Sequence, residues 1–362
     1  MAGDASTICH LDHGQKTLYG EGWSDYQCAR FGDASGGVMR IAVLDDYQRL
    51  ALRLADWSAL ERHGAQVTVF DFHLHGEEAA QALADFDVVC HLRERMAMPR
   101  ELIERLPRLK CIAITGREHR TLDLAAAHEH GILVTCATNQ GLGQRATSEL
   151  AWGLILALAR QIPQSAALMK DSGWQRHCGV TLEGKTLGLI GLGRIASAMV
   201  PVARAFGMKV LAWSPNLQPA SAQAANALWC DRDELLARSD FISLHLVLSE
   251  RSRHTLGKRE LALMKPTAYL VNTARAELVE SQALLAALDK GSIAGAALDV
   301  FEHEPLPNDH PLRRLDNVIL TPHLGFTVEE TLAAFYQGTV DNLLAFMDGL
   351  PINVVEGARP ST

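Results

Sequence analysis

The chain has 362 residues, 48% of them hydrophobic, and a net charge of −8 built from interspersed acids and bases. That length buries a sizeable core and fits two domains of ordinary size, while the acidic balance argues against nucleic acid or an anionic membrane as the main partner, since either would select a basic face. No apolar run reaches the roughly 18 residues of a membrane span and no C-x-x-C pair occurs among the seven cysteines, so the expectation is a cytoplasmic protein with reduced thiols, no metal site and small-molecule partners.

Residues 1–38 stand apart. They are rich in Gly, Asp, Ser and His, lack sustained periodicity and close on Ser35-Gly36-Gly37, which reads as an appended, disordered extension. Cys9, His10 and His13 within it fit no ligand spacing of a known metal site. From Met39 onward the chain alternates strand and helix. Ile41–Leu44, Gln66–Phe70, Val88–Leu92, Lys110–Ile114 and Leu133–Cys136 read as short apolar strands, separated by amphipathic stretches at Gln48–His63, Glu77–Ala84, Pro99–Leu106 and Leu122–His130. This rhythm predicts a parallel sheet with crossover helices. A long, almost wholly apolar helix follows at Ala146–Arg160, placed to be buried between other elements and to join two domains.

The run T-L-G-L-I-G-L-G-R-I-A, Thr186 to Ala196, reads as strand, tight turn and helix. Gly191 and Gly193 allow close backbone approach, and the N–H groups at the helix start, Arg194 and Ile195, carry the positive dipole end that holds a pyrophosphate. Ala196 takes the third position of this dinucleotide fingerprint, which tolerates it; the competing reading is a plain turn. Pro201 falls inside the helix and predicts a kink. The next strand, Lys209–Trp213, ends at Ser214, where a carboxylate for the ribose hydroxyls is usual, and neither acid nor base occurs from Ser214 to Cys230. NAD is therefore favoured with NADP not excluded.

Strands at Phe241–Leu244, Ala268–Asn272, Ala294–Leu298 and Val318–Leu320 continue the pattern, and a final helix at Val328–Met347 has chain left to cross back to the first half. Ligands in open α/β sheets bind outside the carboxyl ends of the strands, which directs attention to three polar positions there. Arg275, in V-N-T-A-R-A, offers a planar fork for a carboxylate and a carbonyl oxygen; an ion pair with Glu277 or another acid competes with that role. Asp299 and Glu304 lie in D-V-F-E-H-E-P, with helix capping as the alternative use. His323, in T-P-H-L-G-F, is an acid–base candidate against the commoner surface or core histidine.

Taken in order, G-L-G-R-I-A, M-K-P-T-A-Y-L-V-N-T-A-R-A, A-L-D-V-F-E-H-E-P-L-P and T-P-H-L-G resemble the D-isomer-specific 2-hydroxyacid dehydrogenase family over about Arg40 to Val355. The resemblance implies two doubly wound parallel-sheet domains. A flavodoxin-like substrate domain of residues 39–143 plus 325–355 would enclose an inserted Rossmann nucleotide-binding domain of residues 144–324, with the active site in the cleft and a homodimer built through the Ala146–Arg160 helix and the segment to Trp174. Carried over residue by residue, Arg275 binds and polarises a 2-oxo acid, His323 exchanges the proton with its 2-hydroxyl, and Glu304 tunes His323. A carboxylate beside an imidazole favours its protonated form. Thr147, Thr273, Ala274 and Asp299 join Gly191, Gly193, Arg194, Ile195 and Ser214 as cofactor contacts. Glu304 argues against the formate dehydrogenase branch, which needs no proton shuttle. Small 2-oxo acids such as glyoxylate or hydroxypyruvate are the implied substrates, and a cofactor-sensing corepressor is the alternative from another class.

The chain departs from this family where it meets substrate. In place of the usual glycine-rich loop it has T-G-R-E-H-R-T-L-D, Thr115 to Asp123, from which amides near Gly116 are expected to bind the carboxylate with Arg117 and His119 adding positive character. The loop Leu92-Arg93-Glu94-Arg95 should face the same cleft, Arg93 as a substrate contact. These charges could equally sit in solvent. Ala276 stands where a glycine is usual and narrows the pocket.

Overall fold

The computed structural model describes residues 37–116, 119–139 and 141–355. Two wholly parallel sheets organise them. The first has β1 (Met39–Val43), β2 (Ala65–Val69), β3 (Val88–Cys90), β4 (Cys111–Thr115) and β5 (Leu133–Ala137) in the order β2-β1-β3-β4-β5. The second has β6 (Thr186–Ile190), β7 (Lys209–Trp213), β8 (Leu228–Trp229), β9 (Phe241–Leu244), β10 (Tyr269–Asn272), β11 (Gly295–Leu298) and β12 (Val318–Leu320) in the order β12-β11-β10-β9-β6-β7-β8. Both orders reverse direction once, the first after β1 and the second between β6 and β9, and each reversal opens a crevice at the carboxyl ends of its strands. Every residue of β3, β4, β9 and β11 is buried, as sheets covered by helices on both faces require.

The last helix, Glu329–Met347, returns to the first sheet. Its Leu332, Phe335, Val340, Leu343 and Phe346 pack with Ile41, Val43, Cys90, Ala113 and Leu133 on one face, while Leu83, Ile103 and Ala127 from three shorter helices cover the other. The chain thus leaves the first sheet after β5, builds the second and comes back.

Several local expectations are corrected. The Gln48–His63 stretch is two short helices, Ala51–Leu54 and Ser58–Arg62, because Ala55 is extended and the Trp57 indole turns inward to donate to the Ala51 carbonyl at 2.9 Å. The long helix begins earlier, at Leu142, after Gly141 in the left-handed region (φ 92°), and runs to Arg160. It packs against β10, β11 and the Arg194–Ala205 helix, yet Arg145, Glu149, Gly153 and Arg160 reach the surface. Pro201 lies inside the Arg194–Ala205 helix, as its sequence position implies. Among the described residues no helix is long and apolar enough to cross a membrane, and no three His, Cys, Asp or Glu side chains group as metal ligands. The expected extension over residues 1–38 falls almost entirely outside the described residues.

Candidate active site

The glycine turn follows β6. Gly191 has φ +97° and its N–H donates to the Trp213 carbonyl at 2.7 Å; a Cβ there would lie 2.7 Å from the His245 carbonyl, so backbone packing alone demands glycine. Gly193 differs. A Cβ on it would meet nothing within 4 Å, and no side chain caps the Arg194–Ala205 helix that it begins. The first N–H groups of that helix, Arg194 and Ile195 included, precede any intrahelical acceptor and face open space beside the switch point between β6 and β9. Ala196, fully buried, packs the helix close. Ser214, half-buried, ends β7 on the same side, and Arg251 Nη2 lies 3.4 Å from the neighbouring Asn216 Oδ1. An open helix start and a close-packed glycine turn fit a dinucleotide pyrophosphate.

Three adjacent strands, β10, β11 and β12, deliver the polar residues. After β10, Asn272 holds the Thr273–Arg275 turn: its Nδ2 donates to the Arg275 carbonyl at 2.9 Å and its Oδ1 accepts from the Ala274 N–H at 3.1 Å. Thr273 Oγ1, just past β10, is buried without a protein partner, a polar group left for a ligand. After β11, Asp299 is wholly buried; Oδ1 accepts from Thr321 Oγ1 at 2.6 Å and the Leu324 N–H at 2.7 Å, Oδ2 from the Gly325 N–H at 2.8 Å. Burial pushes its carboxyl up against the pull of Thr321, Leu324, His323 and Gly325. Neither this carboxylate nor Glu304 caps a helix. Glu304 Oε1 accepts from the Phe301 N–H at 2.9 Å, and Oε2 lies 2.7 Å from His323 Nδ1. His323 itself sits at φ 53°, a strained backbone position that its surroundings fix. With Nδ1 taken by Glu304, Nε2 is the nitrogen left for exchange with a ligand. Thr147 Oγ1 lies 2.7 Å from the Gly143 carbonyl and 2.9 Å from the Gly325 carbonyl, tying the long helix to the His323 turn.

Arg275 turns toward the first sheet. Nη1 donates to its own neighbour's carbonyl, Ala274 O, at 2.7 Å; Nη2 meets Glu94 Oε2 at 3.2 Å; Nε is buried with no protein partner. The acid paired with Arg275 is therefore Glu94, 181 residues away, rather than Glu277. Arg93 donates from its N–H to Thr115 Oγ1 at 2.6 Å and from Nη1 to the Thr115 carbonyl at 3.2 Å, and its guanidinium lies 6.0 Å from the Phe326 ring centre. Arg95 lies over the rings of Tyr47 and Phe326, at 4.8 and 5.5 Å, and Phe326 meets His323 edge-on at 5.7 Å.

Gly116 and His119 of the β4 loop are used otherwise than expected. The Gly116 N–H donates to the Ala137 carbonyl at 2.6 Å, extending the β4–β5 ladder, so this amide is spent on the fold; the Arg93 fork fills the place a Cβ would take. His119 is buried against His91, ring centres 4.9 Å apart, and burial, above all, lowers its pKa to about 4, so it adds no positive charge near neutrality. Arg117 lies outside the described residues.

A family model, the D-isomer specific 2-hydroxyacid dehydrogenase NAD binding domain, matches residues 152–325. A glyoxylate reductase of Thermococcus litoralis is 40% identical over 266 residues, covering 71% of this chain and 80% of its own. The chain belongs to the D-isomer-specific 2-hydroxyacid dehydrogenases. A hydroxypyruvate reductase of Blautia hydrogenotrophica is 32% identical over 326 residues, 88% of this chain and 99% of its own. The crystal structure of a "putative D-3-phosphoglycerate dehydrogenase oxidoreductase" from Ralstonia solanacearum superposes with a TM-score of 0.82 at 36% identity, covering 87% of this chain and 96% of that one. As a 2-hydroxyacid dehydrogenase the protein is an oxidoreductase acting with NAD on the CH–OH group of donors.

Proposed function

We propose that the protein reduces small 2-oxo acids, glyoxylate and hydroxypyruvate among them, to D-2-hydroxy acids, reversibly, with residues 39–143 and 325–355 as the substrate domain and 144–324 as the nucleotide domain. The observation that carries this reading is the His323–Glu304 contact of 2.7 Å at the carboxyl end of β12, in the same row of strand ends as Arg275 and Asp299. The nicotinamide, when bound, supplies the hydride that adds to the substrate's carbonyl carbon. Gly191, Gly193, Arg194 and Ile195 hold its pyrophosphate, Ser214 its ribose, and Thr147, Thr273, Ala274 and Asp299 its nicotinamide end. The buried edge of Arg275 around Nε takes the substrate's carboxylate and carbonyl oxygen, concentrating positive charge where the oxyanion develops. His323 Nε2 delivers a proton to that oxygen, and Glu304 on Nδ1 holds the imidazole in orientation through the exchange. Arg93 borders the substrate from the first sheet.

Ser214 carries no charge to repel a 2′-phosphate and no base follows it up to Cys230 to grip one, so NAD is the favoured cofactor with NADP not excluded. A cytoplasmic location, where NAD and NADP both circulate, belongs to this reading. Exposed apolar side chains on one continuous stretch, Ile162, Met169, Trp174 and Val180, with Val202 in the Arg194–Ala205 helix and Phe206 just past it, favour a homodimer through this surface. Purified protein assayed with NADH and NADPH against a panel of 2-oxo acids is expected to consume reduced cofactor with at least one small member. No consumption across the panel contradicts the proposal.

A further inference from the structure

Glu94 is an unusual occupant of such a site. It sits on the loop after β3, its side chain is 17% exposed, and it bonds to the residue that the proposed function assigns to the substrate's carboxylate: Oε2 is 3.2 Å from Arg275 Nη2. Oε1 accepts from the Arg120 N–H at 3.1 Å. Burial pushes the Glu94 carboxyl up, but Arg275, the Arg120 N–H and Arg93 outweigh it and hold the group below its ordinary value, so it stays a carboxylate at neutral pH. Its negative charge is therefore a fixed feature of the site.

The neighbouring cations Arg93 and Arg95 keep their charge, and each directs Nη1 to a backbone carbonyl rather than to Glu94. Arg93 spends Nη1 on the Thr115 carbonyl, and Arg95 donates Nη1 to the Asp45 carbonyl at 2.6 Å while lying over Tyr47 and Phe326. Asp45 is itself buried behind Arg95; its Oδ1 accepts from the Tyr47 hydroxyl at 2.9 Å and lies 2.8 Å from His73 Nδ1, while Oδ2 lacks a partner. When a 2-oxo acid takes the Arg275 fork, Glu94 must share its guanidinium partner with the incoming carboxylate. A carboxylate oxygen has two acceptor positions, so Glu94 keeps capacity for a new donor at the moment it loses part of an old one. Leaving that capacity unfilled in a buried setting is costly, and placing another anion against it costs more.

We infer that Glu94 determines substrate choice, selecting 2-oxo acids whose C3 substituent donates a hydrogen bond, a hydroxyl or an ammonium, and rejecting those that carry a second carboxylate or a phosphate. The inference rests on the proposed reduction at Arg275 and His323 and sharpens its substrate class. Hydroxypyruvate is favoured by this arrangement, pyruvate is intermediate, and oxaloacetate is disfavoured.

The test compares the wild-type protein with Glu94→Gln, which keeps shape and removes charge, and with Glu94→Ser as a second, smaller variant, after thermal melting has shown that each is folded. The ratio of kcat/KM for hydroxypyruvate to that for oxaloacetate is expected to be about 100 in the wild-type protein and to fall roughly tenfold or more in either variant, chiefly through a gain on oxaloacetate. A ratio unchanged within about twofold, or a wild-type preference for oxaloacetate, overturns the assignment. Absence of turnover on every 2-oxo acid is failure of the proposed reaction, not of the role of Glu94. That role is then decided by calorimetric binding of oxamate against hydroxymalonate to the same proteins with NADH present. Loss of a wild-type preference for oxamate in the variants supports it, and an equal preference in all three overturns it.

Discussion

Arg275, Asp299, Glu304 and His323 stand at the ends of three neighbouring strands of the seven-stranded sheet, whereas Arg93 and Glu94 lie on a loop of the five-stranded sheet, from which Glu94 reaches Arg275. The first group is held by backbone: Asp299 alone accepts the Leu324 and Gly325 N–H groups and the Thr321 hydroxyl, which shapes the turn that presents His323. The second group is held by side chains reaching across the chain, such as Glu94 on Arg275 and Arg93 on Thr115. Chemistry common to a family suits the first side, where backbone N–H groups bonded to Asp299 set the geometry. Substrate choice suits the other, where one substitution changes charge without disturbing a strand.

The comparison breaks most visibly at His323. Replacing it with alanine is expected to lower kcat roughly 10²- to 10⁴-fold while NADH affinity, read by fluorescence titration, stays within about twofold. Comparable loss of both would mean that the residue shapes the site rather than exchanging a proton. A change at Glu94 on the facing loop should instead redistribute activity among substrates.

The smallest expected effect concerns the histidines under the five-stranded side. Burial lowers the pKa of His119 to about 4, against an ordinary value of 6.5, and pushes that of His91 down as well, with the nearby His119 as a second cause. The unfolded chain therefore binds more protons than the native one as pH falls from about 6.5 toward 4, and stability drops over that window while staying level above it. Each such histidine contributes a slope of about 1 kcal/mol per pH unit. Urea unfolding of the wild-type protein and His119→Asn at pH 7.0, about 5.5 and about 4.5 should show a shallower acid loss in the variant. Parallel losses would show that His119 takes no part in it.

What could be read from the sequence follows the same division. Buried parallel strands are continuous apolar runs, so β6, β7, β9 and β12 stand where the residues alone place them. The two-residue β8 escapes, since Leu228 and Trp229 are both exposed and carry no burial signal. The break at Ala55 escapes as well, because the Trp57 indole that turns the chain looks like any other apolar helix residue. In the site, Arg275, Asp299, Glu304 and His323 announce themselves by lying just past strands. Asn272, which braces the Arg275 turn, was legible only as the last strand residue, though an Asn at a strand end before a tight turn is a usable signal. The Glu94–Arg275 pair could not be found that way: it joins residues 181 apart and neither one's neighbours specify the other. The Gly116 amide misled for a related reason, since its acceptor belongs to the adjacent strand β5.

The central claim is that this row of strand ends moves a hydride onto a 2-oxo acid from one side only. Incubation with hydroxypyruvate and NADH deuterated at C4 of the nicotinamide, followed by mass and chiral analysis of the product, tests it directly. The expected result is D-glycerate carrying deuterium at C2 when the label is on the transferred face. L-glycerate, or D-glycerate without label from either labelled face, would contradict the account.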